Sequence, residues 1–189
     1  GRARRLNRGE AEAPAETAPA PLEASGALIV APAAPSRTVD EAGWGLMAQL
    51  YQARSAGSWG IGDLADLRAI GEWGAGRGAG FVLVNPFHAP SPVTPIEPSP
   101  YLPTSRRFMD PSIIRIDDAA AGLELEPQVA QRLDELASYA KQQNAADVID
   151  RDAAWLAKRE ALGHLFVAAR AQGGERWNDF GRYVDEQGE

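Results

Sequence analysis

The residues best equipped for chemistry stand together in Glu97-Pro98-Ser99-Pro100-Tyr101-Leu102-Pro103-Thr104-Ser105-Arg106-Arg107-Phe108. The prolines hold the backbone stiff, and on that frame the loop offers a serine, a tyrosine and two arginines. A rigid aromatic with a polar tip packs its apolar face on C–H groups while its hydroxyl hydrogen-bonds, which suits a sugar ring. The competing reading is a structural loop whose Tyr and Arg residues buttress neighbouring loops. His88 follows Asn85-Pro86-Phe87 at the end of an apolar run. That is the active-site end of a strand in a parallel α/β barrel. It lacks a visible partner acid, so catalytic and structural roles weigh about evenly. Asp63 reads as a helix cap rather than an acid catalyst. Asp66 and Glu72 read as the solvated face of the same helix. Asp117-Asp118 reads as a turn or cap, because neighbours on an extended segment point to opposite sides.

The elements that position these residues form a recognisable order. Leu46 to Tyr51 is short and apolar enough for a strand. After a Gly/Ser-rich turn, Asp63 opens a helix whose Leu64, Leu67 and Ile70 share a face, with Gly71 and Gly74 allowing close approach. That helix fails in Gly74-Ala-Gly76-Arg-Gly78-Ala-Gly80. These glycines follow a helix and precede a strand, the reverse of a dinucleotide-binding loop, so nucleotide binding is rejected. Phe81 to Val84 is an uninterrupted apolar strand of the kind buried on both faces. Strand, helix, strand within about forty residues is a βαβ unit with a right-handed crossover. Ala89 to Ser112 is too irregular for either regular element, and Ser112 to Asp117 is another β-like run. Beyond it, Val129, Leu133, Leu136 and Ala140 mark one helix. Asp150 or Asp152 caps a second, carrying Trp155, Leu162, Phe166 and Ala169 and stopping at Gly173-Gly174. Trp177, Phe180 and Val184 begin a third.

Composition excludes several classes. The 189 residues carry a formal net charge of -7, which argues against nucleic acid and anionic membrane as partners. Arg2, Arg4, Arg5 and Arg8 form the only strongly basic cluster, read as a solvated tail. The absence of cysteine removes disulfides, thiolate nucleophiles and Cys-ligated zinc, and two histidines do not make a multi-histidine metal site. No cofactor and no metal are expected. No apolar run approaches the roughly 20 residues of a membrane span, so the expected compartment is the cytoplasm. Residues 1–42 read as a disordered Ala/Pro-rich linker with a possible last strand of an upstream β domain at Ala27 to Ala31. A start at Gly1 without Met suggests a processed chain or a fragment.

Gly43-Trp-Gly-Leu-Met-Ala-Gln-Leu-Tyr51, Ser58-Trp-Gly-Ile-Gly-Asp-Leu64, Asn85-Pro-Phe-His-Ala89 and Ser99-Pro-Tyr-Leu-Pro-Thr-Ser-Arg-Arg-Phe108 occur in the order and spacing of the 4-alpha-glucanotransferases, or amylomaltases. Ile149-Asp-Arg-Asp-Ala-Ala-Trp-Leu-Ala-Lys158 also resembles that family's helical segment. The resemblance covers roughly residues 43 to 180. It implies an α/β fold in which 43–189 is the incomplete N-terminal part of a (β/α)8 barrel with an inserted helical segment. It further implies a retaining transfer of 1,4-alpha-glucan segments between maltodextrin or starch chains by double displacement between two carboxylates. Ser99 and Tyr101 then line sugar subsites, with Pro100 as the stiffener between them. His88 is grouped with them as substrate-binding, Asp63 stands beside the site as framework, and Arg106 and Arg107 buttress the loop. The family's catalytic carboxylates have no match here, so no catalytic residue is expected in this chain, and the fragment alone is expected to be inactive. An amylase-type hydrolase and a non-catalytic glucan-binding fragment are the alternatives.

Overall fold

A computed structural model describes residues 43–188. The expectations for the linker and the upstream strand fall on residues 1–42, outside that range. The described residues begin with the expected βαβ unit. Strand β1 (Leu46–Ala48) pairs in parallel with β2 (Val82–Val84), and helix α1 (Leu64–Ala75) connects them. A 3-10 turn at Leu50–Gln52 cuts the first strand shorter than the apolar run suggests.

Asp63 caps α1 as expected: its Oδ1 accepts from the amides of Ala65 at 3.0 Å and Asp66 at 3.4 Å. The Asp66 carboxylate returns the bond by accepting from the Asp63 amide at 3.0 Å, closing a capping box. Gly62 is required at the entry, because a Cβ there would sit 1.9 Å from the Leu50 carbonyl oxygen. Of the two glycines expected to allow close packing, Gly74 does so, with Leu46 Cδ1 3.0 Å from where its Cβ would lie. Gly71 faces open space. The helix ends at Ala75, inside the glycine cluster.

One expectation for the sheet fails. The register sets Met47 opposite Leu83, and these residues are 82% and 56% exposed. A two-stranded sheet with a single crossover helix has cover for one face only, so these strands alternate instead of being buried throughout.

The stretch from Ala89 to Ser112 is more regular than its composition suggests. Strand β4 (Ser105–Met109) pairs antiparallel with β3 (His88–Ala89), with a register irregularity between His88 and Ala89. Ser112 to Asp117 is not a strand. Asp110 accepts from the Ser112 amide at 2.8 Å and Pro111 occupies the first helical position, which starts a 3-10 turn at Pro111–Ile113. Helix α2 (Ile116–Ala120) follows, with Asp117 and Asp118 in its first turn, where a negative charge is favoured; neither caps it, since Arg115 stands at the N-cap and the two acids face Lys141 and Arg68.

Helices α3 (Pro127–Gln142), α4 (Arg151–Gln172) and α5 (Glu175–Gln187) complete the chain. Asp150 caps α4 through the Ala153 amide, and the helix stops at Gly173 and Gly174, both at positive φ. Arg132 of α3 meets Glu160 of α4, while Gly60 lies against Ala140 and Ala154, so α3 and α4 run antiparallel. Their apolar stripes close over Trp59 and Ile116 to form the core with Leu133, Leu136, Ala157, Ala161 and Leu165. Helix α5 has no fully buried residue and is held by edge-to-face contacts of Phe166 with Trp177 and Phe180.

Candidate functional site

The βαβ unit delivers its loops to a cleft at the C-terminal end of β2. The walls are the β2–β3 turn with His88, the proline-rich loop with Glu97, Ser99 and Pro100, and the turn from Asp110 to Ile113. The first turns of α4 close the cleft with Arg151 and Trp155. Three of the residues singled out by chemistry, His88, Ser99 and Pro100, are thus brought together. Tyr101 is 63% exposed and lies outside the lining.

Local bonds explain the shape of each wall. Asn85 at the end of β2 accepts from the Leu50 amide at 2.8 Å, which ties the two strand ends together. Glu97 accepts from the Ser99 amide at 3.0 Å, and the Ser99 hydroxyl accepts from the Tyr101 amide at 3.3 Å. Asp110 is spent in its own turn cap. Glu97 and Asp110 at the cleft therefore work as turn-formers. Arg107, expected to buttress the loop, stands on β4 and donates to the Gln187 carbonyl at 2.8 Å. Arg106 is exposed.

Beneath the cleft lies a buried ionic cluster. Asp66 was read as solvated and is instead 5% exposed. Its carboxylate accepts from Ser55 Oγ at 2.5 Å, from Ser58 Oγ at 2.6 Å and from Arg115 at 2.9 Å. Arg115 Nε also donates to Asp63 Oδ2 at 2.6 Å. Lys158, fully buried, donates to the carbonyls of Ser112 at 2.6 Å and Ile114 at 3.0 Å, with Asp63 Oδ2 3.7 Å away. Arg115 and Lys158 were not singled out for a role. A sign of Lys158 is readable afterwards: it falls on the stripe of Ala154, Ala161 and Leu165, where a lysine must find partners.

Burial opposes the ionisation of Asp66, but hydrogen bonds from Ser55 and Ser58, the Asp63 amide and the charge of Arg115 hold its carboxyl below 3.8. Its stabilising contribution is present above that pH and lost as pH falls below it. Burial pushes the Lys158 ammonium down to about 8 against the pull of Asp63, with Arg115 pushing further down. Lys158 is charged in both states below pH 8. Between about 8 and the ordinary 10.5, the unfolded chain holds a proton that the folded chain has released, so stability rises with pH across this window. The unfolding free energy of the protein relative to Lys158→Met should therefore grow from pH 8 to pH 10, by about 2 kcal/mol. Urea titrations at both pH values check this, and a constant difference would refute it.

The sequence profile described as 4-alpha-glucanotransferase matches residues 48–189. The chain belongs to the 4-alpha-glucanotransferase family. It is 44% identical over 164 residues to the 4-alpha-glucanotransferases of Mycobacterium tuberculosis and Mycobacterium bovis, covering 81% of this chain and 22% of theirs. The 4-alpha-glucanotransferase of Haemophilus influenzae is 43% identical over 75 residues, covering 40% of this chain and 11% of its own. Among solved structures, the amylomaltase from Corynebacterium glutamicum superposes with a TM-score of 0.68 at 38% identity, over 77% of this chain and 20% of that one. The chain thus spans about a fifth of the length of the curated relatives it matches. Among its described residues no group of His, Cys, Asp or Glu is placed to hold a metal ion, and no helix is long and apolar enough to cross a membrane.

Proposed function

We propose that residues 43–189 are the first part of a (β/α)8 barrel, with α3 and α4 as an inserted helical segment, in a cytoplasmic 4-alpha-glucanotransferase. Residues 1–42 would be a linker, with a possible last strand of a preceding β domain. The intact enzyme moves 1,4-alpha-glucan segments between maltodextrin or starch chains by a retaining double displacement. The observation that carries this reading is the cleft at the C-terminal end of β2, where His88, Ser99 and Pro100 meet. Barrel enzymes build their sites at that end. In this reading Ser99 and Tyr101 are sugar-facing, Pro100 keeps them in register, and His88 flanks them. The nucleophilic and acid carboxylates are supplied by barrel strands outside this chain.

Incubation with maltotriose tests the reading. The intact enzyme should convert it into a ladder of longer and shorter glucans, and residues 43–189 alone should leave it unchanged. Reducing sugar without lengthened chains would indicate hydrolysis and overturn the assignment.

A further inference from the structure

The proline-rich loop cannot hold itself in place. Pro90, Pro92, Pro95, Pro98, Pro100 and Pro103 lack the amide donors a ladder needs. Among the described residues, the side-chain-mediated ties of Pro90 to Pro103 to distant parts of the chain run to one helix. Asp152 of α4 accepts from the Ile96 amide at 2.6 Å, and Trp155 Nε1 donates to the Pro92 carbonyl at 3.1 Å. One turn further on, Lys158 grips the carbonyls of Ser112 and Ile114 on the opposite wall. The three side chains stand three residues apart and climb the helix by about 4.5 Å at each step. Each holds a different wall segment through its backbone.

We propose that α4 is the ruler that sets the cleft, and that Asp152 is the positioning residue for the loop bearing Ser99 and Tyr101. This rests on the glucan-binding reading above. Asp150, not Asp152, caps α4 through its side chain, so the Asp152 carboxylate is available to the loop. A carboxylate accepting from an amide makes a strong, short bond. Ile96 lies three residues before Ser99, so releasing its amide frees the part of the loop that faces the sugar while leaving the Trp59 core untouched.

The test uses the intact enzyme with Asp152→Ala, Asp152→Asn and Trp155→Phe. Asparagine keeps a carbonyl acceptor for the Ile96 amide, and phenylalanine keeps an aromatic ring while deleting the indole donor. Asp152→Ala should raise KM for maltotriose about tenfold with kcat within about twofold, since positioning of ground-state contacts is lost. Trp155→Phe should shift KM in the same direction, and Asp152→Asn should recover most of the loss. Hydrogen exchange at the Ile96 amide should be slow in the unmodified enzyme and in Asp152→Asn, and fast in Asp152→Ala. An Ile96 amide equally protected in Asp152→Ala overturns the positioning role whatever the enzyme acts on. So does a lowered melting temperature with KM unchanged, or an Asp152→Asn as impaired as Asp152→Ala. An unmodified enzyme that leaves maltotriose untouched overturns the glucan reading instead.

Discussion

Arg115→Met is expected to destabilise the fold by about 3–5 kcal/mol, the usual cost of removing one partner from a buried ion pair. Arg115 holds two buried carboxylates at once, Asp63 at 2.6 Å and Asp66 at 2.9 Å, with its side chain 12% exposed. Without it, Asp63 Oδ2 retains Lys158 at 3.7 Å, and Asp66 retains its two serines and the Asp63 amide. Two carboxylates would then share one ammonium in a place that water does not reach. Lysine at this position should recover only part of the loss, because an ammonium lacks the fork that spans both acids. Gly57 makes the same point from the other side: a Cβ there would stand 2.3 Å from an Arg115 guanidinium nitrogen. Urea unfolding measures the effect. A loss under about 1 kcal/mol would mean that the two acids are solvated and that the cluster is not the anchor of α1.

Tyr101→Ala should lower kcat/KM for maltotriose roughly 30-fold in the intact enzyme, about 2 kcal/mol, the level at which an exposed aromatic counts as a binding hot spot. Its ring is 63% exposed, so folding stability should stay within about 0.5 kcal/mol. A large kinetic loss with an unmoved melting temperature separates a sugar contact from a structural one. An unchanged ladder rate would remove Tyr101 from the site and leave Ser99, Pro100 and His88 as its protein-side definition. Tyr101→Phe divides the contact further: a retained rate assigns it to the ring face, and a reduced one to the hydroxyl.

Much of the framework was legible because its signals are local. Asp63 three residues before Asp66, Asp150 three before Ala153, and Gly173-Gly174 after an apolar stripe each act within one helical turn. Caps and stops therefore read correctly from neighbours alone. The βαβ order followed from two apolar runs flanking a capped helix, and the parallel register of Leu46 with Val82 agrees with it. The β-like run from Ser112 to Asp117 misled. The Asp110 cap and Pro111 at the first helical position outweighed a preference for extended backbone that held only through side-chain pattern.

By itself the sequence determined the family, the βαβ start and the stiffness of the loop from Glu97 to Phe108, since motif order, apolar period and proline are properties of neighbouring residues. Tertiary structure alone decided that His88, Ser99 and Pro100 share one cleft with Trp155, and that Asp66 is a buried member of an ion cluster rather than a surface charge. Arg115 lies 49 residues from Asp66, and Asp152 lies 56 from Ile96. Partners that far apart are chosen by where the chain returns. Packing of the start of α2 against α1 brings the first pair within hydrogen-bond reach, and packing of α4 against the loop brings the second.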